Sequence, residues 1–179
     1  SEAEEVLKRV EEVVERLKKL HDDNNKKLRD AVRRLKRLHT EHNKETKEIK
    51  KEIEDLIRKG GEEKEKLVER VERLVKRSTD TLREVVRRTE KLLKEVEDHS
   101  RRVIEESKEL VKEMEKRLRE TDVSREVEKR LKEVVKRIDE VAEEDERSIR
   151  EILRELRKVI EDDERSNRKV AKEIRESAK

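Results

Sequence analysis

The chain contains no proline, cysteine, tryptophan, tyrosine or phenylalanine, and only two glycines in 179 residues. Without cysteine there is no disulfide or thiolate chemistry, and redox compartment leaves no mark. No apolar run approaches the roughly 20 residues needed to cross a bilayer. The amino-terminal stretch SEAEEVLKRV is acidic and amphipathic, unlike a signal or transit peptide. Charge of one sign is also missing, because 53 basic and 50 acidic residues interleave along the whole length. That pattern describes a solvated surface, not a basic patch for nucleic acid.

What is present is charge, at 58% of residues, with apolar residues at 29%. That balance usually means disorder. Periodicity overrules it here. In the first third the apolar residues run Val6, Leu7, Val10, Val13, Val14, Leu17, Leu20, then Leu28, Ala31, Val32, Leu35, Leu38, then Ile49, Ile53, Leu56, Ile57. This is a helical stripe. Shifting it by about 18 residues, five turns of helix, maps it onto itself. Leu17, Leu35 and Ile53 share one position, and Leu20, Leu38 and Leu56 share another. Leu74, Leu92 and Leu110 repeat the relation, as do Val134, Ile152 and Val170. A strict heptad would demand a left-handed supercoil, whereas this period demands almost none.

The helical pattern breaks in two places. RKGGEE carries Gly60 and Gly61, suited to closing a helix, after the basic pair Arg58-Lys59. RETDVSRE offers Thr121, Asp122 and Ser124 as N-caps. The expectation is three helices over residues 2–59, 62–120 and 123–178, with turns at 59–61 and 120–124. The short turns make the path up-down-up. The fold class is therefore all-α: one domain over 1–179, a straight, nearly untwisted, antiparallel three-helix bundle. The outward faces are almost wholly Glu, Lys and Arg, so a monomer is expected. A homodimer or a partner chain are the alternatives.

Polar residues interrupt the stripe at particular heights. Facing positions on the first two helices should sum to about 120, and on the last two to about 243. One layer then collects His21, Asn24 and Asn25 with His99 and Ser100, and with Asp145 and Ser148. A second collects His39, His42, Asn43 and Thr46 with Ser78, Thr79 and Thr81, and with Asp163, Ser166 and Asn167. The 18-residue shift relates His21 to His39 and Asp145 to Asp163. Donors and acceptors balance within each layer. A buried polar group left unpaired costs about 1–3 kcal/mol, so grouping removes a penalty and sliding would restore it. Thr89 and Ser107 are expected to bond back to their own helix.

Other chemistry was weighed for the same residues. His39 and His42 are spaced to share an ion with Asp163, but Asn, Ser and Thr are poor zinc ligands, so no metal site is assigned. Ser, His and Asp co-occur without an exposed nucleophile or a cleft, so no catalytic site is assigned. No cofactor, small-molecule substrate, nucleic acid or membrane is indicated. No compartment is indicated beyond a soluble chain without a targeting signal.

These features together resemble de novo designed helical bundles with buried hydrogen-bond networks. The 18-residue repeat, the aromatic-free Leu/Val/Ile core, the Glu/Lys/Arg surface, the GG turn and the matched polar layers carry the resemblance along the whole chain. It implies a designed structural scaffold with no natural biochemical function, its networks specifying helix pairing and register. The alternatives are a pH- or metal-responsive helical module, in which burial and a neighbouring carboxylate push histidine in opposite directions, or one component of a designed oligomer. A natural coiled-coil spacer fits less well, because such spacers usually carry aromatic core residues.

Overall fold

The computed structural model describes residues 2–60, 63–120 and 124–179. They form three helices: α1 (Glu2–Lys59), α2 (Lys64–Arg119) and α3 (Arg125–Ala178). No strand occurs among the described residues, and no helix is long and apolar enough to cross a membrane. Acidic residues occupy the first turns (Glu2, Glu4 and Glu5 in α1), and basic ones the last (Arg58 and Lys59), as the helix dipole favours.

The helix ends follow from local chemistry. Gly60 takes φ +68° and its N–H donates to Leu56 O at 3.2 Å and Ile57 O at 3.3 Å, closing α1. Gly61 lies outside the described residues, as do Thr121 and Asp122. At α3, Ser124 Oγ accepts from Val127 N at 3.4 Å, and Ser124 O accepts from Glu128 N at 3.2 Å, so Ser124 is the cap. A Cβ added at Gly60 would meet nothing within 4 Å. Gly60→Ala should therefore destabilise by backbone strain alone, about 1 kcal/mol, read from a denaturant midpoint.

Packing divides the helices into two compact units, Ser1–Arg29 with Leu92–Glu151, and Asp30–Lys91 with Ile152–Lys179. All three helices contribute to each. In the first unit Val10, Val14 and Leu17 of α1 pack with Ile104 and Val111 of α2 and with Val134, Ile138 and Val141 of α3. Leu7, Leu118 and Val127 form a further cluster. In the second unit Ile53 and Ile57 pack with Leu67 and Val71 and with Val170 and Ile174.

Cross-helix pairs define direction. In the first unit Lys108 pairs with Asp139 at 3.5 Å, and Ser100 bonds Asp145, so numbers rise on α3 as they fall on α2. In the second unit Arg83–Glu164 and Arg175–Glu72 show the same antiparallel sense. α1 and α3 run parallel: His21 and Asp145 are 124 residues apart in the first unit, and His39 and Asp163 are 124 apart in the second.

The apolar stripe does not bury evenly. Leu17, Leu35 and Ile53 are all buried. Leu20 and Leu38 are half-buried, and Leu56 is 42% exposed.

Candidate functional site

The polar side chains that the sequence sets into the stripe lie, in part, together. In the first unit Asp145 is buried on α3. His21 Nδ1 of α1 donates to its Oδ1 at 2.8 Å, and Ser100 Oγ of α2 donates to its Oδ2 at 2.8 Å. One carboxylate thus ties all three helices at one height. His21, Ser100 and Asp145 are all buried, at 8%, 2% and 8% exposure. His99 stands exposed outside this cluster. It is one residue, about 100° of helix rotation, from Ser100, which takes the inward place. Asn24 and Asn25 are half-buried, and Asn24 Nδ2 and Asn25 Oδ1 have no hydrogen-bond partner. Ser148 is half-buried, with no side-chain bond among the described residues.

The second unit holds a longer chain of bonds around Asp163, which is 2% exposed. His39 Nδ1 donates to Asp163 Oδ1 at 3.1 Å, and His39 Nε2 accepts from Asn43 Nδ2 at 3.3 Å. Ser166 Oγ donates to Asn43 Oδ1 at 3.0 Å. Asn167 Nδ2 donates to Asp163 Oδ2 at 3.2 Å and also to Thr79 Oγ1, whose own proton goes to Val75 O at 2.9 Å. The path runs from α1 through α3 to α2. These two bonds together ask His39 to donate through Nδ1 and accept at Nε2.

Four other residues expected in this layer lie outside the chain of bonds. Thr46 Oγ1 donates to His42 O at 2.8 Å, and Thr81 Oγ1 to Arg77 O at 2.9 Å, both within their own helix. His42 and Ser78 are half-buried and line a groove between α1 and α2. Thr89 and Ser107 also back-bond, to Val85 O and Val103 O.

The 18-residue repeat shows what the first unit leaves unmade. Asn25 and Ser148 occupy the positions that Asn43 and Ser166 occupy one repeat later. Ser166 bonds Asn43 in the second unit, whereas Asn25 Oδ1 is unpaired in the first.

The arrangement constrains chemistry. Ser100 donates to Asp145 and not to His21, so no imidazole stands on the hydroxyl, and Ser100 is closed to solvent. His39 faces Asp163 while His42 lines the α1/α2 groove, so the two imidazoles do not converge. Among the described residues no three His, Cys, Asp or Glu side chains gather as a metal site would require. Among the described residues, one surface ion pair perturbs both its partners, and the Arg87 guanidinium is raised by its hydrogen bond to Glu84. A hydrogen bond from the Arg87 side chain, with its charge and that of Arg88, holds the exposed Glu84 carboxyl below its ordinary range.

No protein-family model matches the chain, and no curated protein matches it. Among solved structures, a computationally designed three-helix bundle is similar. The superposition has a TM-score of 0.61 at 19% identity, and covers 99% of this chain and 92% of that one. The likeness is one of fold: the chain is a three-helix bundle.

Proposed function

We propose that the chain is a designed structural scaffold without natural biochemical activity, and that its two polar clusters specify which helices pair and in what register. The observation that carries this reading is the placement of one buried carboxylate per unit where α1, α2 and α3 meet. Asp145 takes a donor from each neighbour directly, and Asp163 reaches α2 through Asn167 and Thr79.

Apolar stripes attract one another at many offsets, because leucine opposite valine costs little more than leucine opposite leucine. A carboxylate does not tolerate the same freedom. Sliding α3 by one turn, about 5.4 Å, would pull Asp145 and Asp163 off the imidazoles that serve them and, toward lower α1 numbers, set them at the heights of Leu17 and Leu35. The clusters add little net stability, since a buried polar set is often replaceable by apolar residues at no cost. They penalise the alternatives instead.

The test replaces both clusters together: His21→Leu, Ser100→Ala and Asp145→Leu with His39→Leu, Asn43→Leu, Thr79→Val, Asp163→Leu, Ser166→Ala and Asn167→Leu. The denaturant midpoint should hold or rise, while amide NMR spectra change from one set of resonances to several. A variant that keeps a single sharp set shows that the apolar stripe alone fixes the register.

A further inference from the structure

The two edges where α3 meets its neighbours are laced with ion pairs. In the second unit Lys50 and Lys36 of α1 reach Glu173 and Glu155 of α3, and Arg83 and Glu72 of α2 reach Glu164 and Arg175. The third edge is different. Among the described residues no hydrogen bond and no ion pair joins α1 to α2.

That edge nonetheless carries both signs of charge at one height. Glu45 of α1 and Arg77 of α2 line the edge; by helical spacing Glu41 and Glu52 share the face of Glu45, and Arg70 and Arg73 lie on the flank of Arg77, all exposed. None of the six forms an ion pair with another described residue. Opposite charges thus flank this seam without pairing across it.

The gap has an apolar floor. A groove of about 230 Å³ lies between α1 and α2, with Ile49 and Leu74 in its lining and Glu45 and Arg77 on its rims. By helical spacing the less buried part of the stripe continues the floor: the half-buried Leu38 and the exposed Leu56 on α1, and the half-buried Val85 on α2. His42 and Ser78 sit in the same lining, and their side chains form no hydrogen bond with a described residue. The first unit repeats the pattern, with Leu110 39% exposed on α2 and the buried Asn24 amide unpaired on α1.

We infer that the α1/α2 groove of the second unit is a docking site for one amphipathic helix of a partner chain. That helix is apolar at helical spacing beneath, basic along the edge facing Glu41, Glu45 and Glu52, and acidic along the edge facing Arg70, Arg73 and Arg77. A hydroxyl or carboxamide on it meets His42 and Ser78.

A helix is the fitting shape because the floor residues follow the helical period of α1 and α2, and such grooves are read by anchors at i, i+3, i+4 and i+7. A second copy of this chain fits less well. It would offer a face as concave as the groove itself, and two grooves cannot fill one another. The half of the apolar stripe left half-buried, which a self-contained monomer does not use, becomes the floor of an interface.

The probe is a synthetic helical peptide of about 28 residues, roughly 42 Å long, with a Leu/Ile stripe, one Asn, a Lys edge and a Glu edge. Two controls keep the stripe and make both edges Lys or both edges Glu. Reversing the helix direction swaps its edges, so the mixed peptide matches the rims in one direction and the controls in neither. Fluorescence anisotropy should give a Kd of about 1 µM or tighter for the mixed peptide, and about tenfold weaker binding for each control.

Leu56→Glu and Leu74→Glu in the protein should each weaken the mixed peptide about tenfold or more while helicity stays unchanged. Three results would overturn the assignment. The first is equal binding of all three peptides. The second is binding indifferent to both leucine substitutions. The third is a dimer of the free chain, by light scattering, that Leu56→Glu dissociates.

Discussion

Substituting leucine for His21 should destabilise the protein by about 3 kcal/mol or more, because a buried carboxyl group loses a hydrogen-bond donor that nothing replaces. Among the described residues the imidazole is the only donor on Asp145 Oδ1, and Ser100 serves the other oxygen. With the imidazole gone, a buried carboxylate faces an aliphatic side chain. Ser100→Ala removes one of two donors and leaves the histidine in place, so its cost should be smaller, about 1–3 kcal/mol. Adding Asp145→Leu and Ser100→Ala to the His21→Leu chain should recover most of the loss, because nothing polar is then left without a partner. Urea denaturation of the three proteins reads the order directly. An order in which the triple substitution is worst would mean that the cluster contributes net stability, contrary to the role proposed for it.

Leu156→Ala should cost about 2–5 kcal/mol, whereas Leu56→Ala should change stability by about 0.5 kcal/mol or less. Both leucines belong to the helical stripe. Leu156 is fully buried in the second unit, and truncating it leaves a cavity as well as a lost transfer free energy. Leu56 is 42% exposed beside the α1/α2 groove. The same deletion at the two sites separates the half of the stripe that holds the bundle together from the half that lies open. Thermal or chemical melts of the two variants suffice, and comparable losses would place Leu56 in the core.

Most of the architecture was legible because this sequence writes one periodic signal with few interruptions. Leu17, Leu35 and Ile53 recur at the same helical position, and all three are buried. Gly60 and Ser124 close and open helices by local rules that need no tertiary context. Asp145 and Asp163 stand out because a carboxylate on an apolar face must find donors, and each does.

What periodicity could not supply was rotation. A stripe's width says how much of a helix faces inward, not which flank meets which neighbour. Leu20, Leu38 and Leu56 therefore read as equivalent to Leu17, Leu35 and Ile53, yet they are less buried. His99 and Ser100 are adjacent and both fit the expected height. Only the direction of α3 decides that Ser100 points in and His99 out. The same reason explains His42, which shares a turn with His39 but turns to the α1/α2 groove. One sequence signal for that groove was available: Glu41, Glu45 and Glu52 on one helix and Arg70, Arg73 and Arg77 on the next form single-sign rows of opposite charge that do not pair with each other.

The central claim is that the polar clusters, and not the apolar stripe, fix register. Its most direct test is a distance between α1 and α3 within the second unit. Spin labels at Lys47 and Arg154, both exposed, sit at different heights on parallel helices, so a slip along the axis changes their separation. Pulsed dipolar spectroscopy on the otherwise unaltered chain should give one narrow distance. In the protein with both clusters replaced by apolar residues, a second population should appear, displaced by about one turn, or 5.4 Å. A replaced protein that keeps the single original distance would contradict the claim.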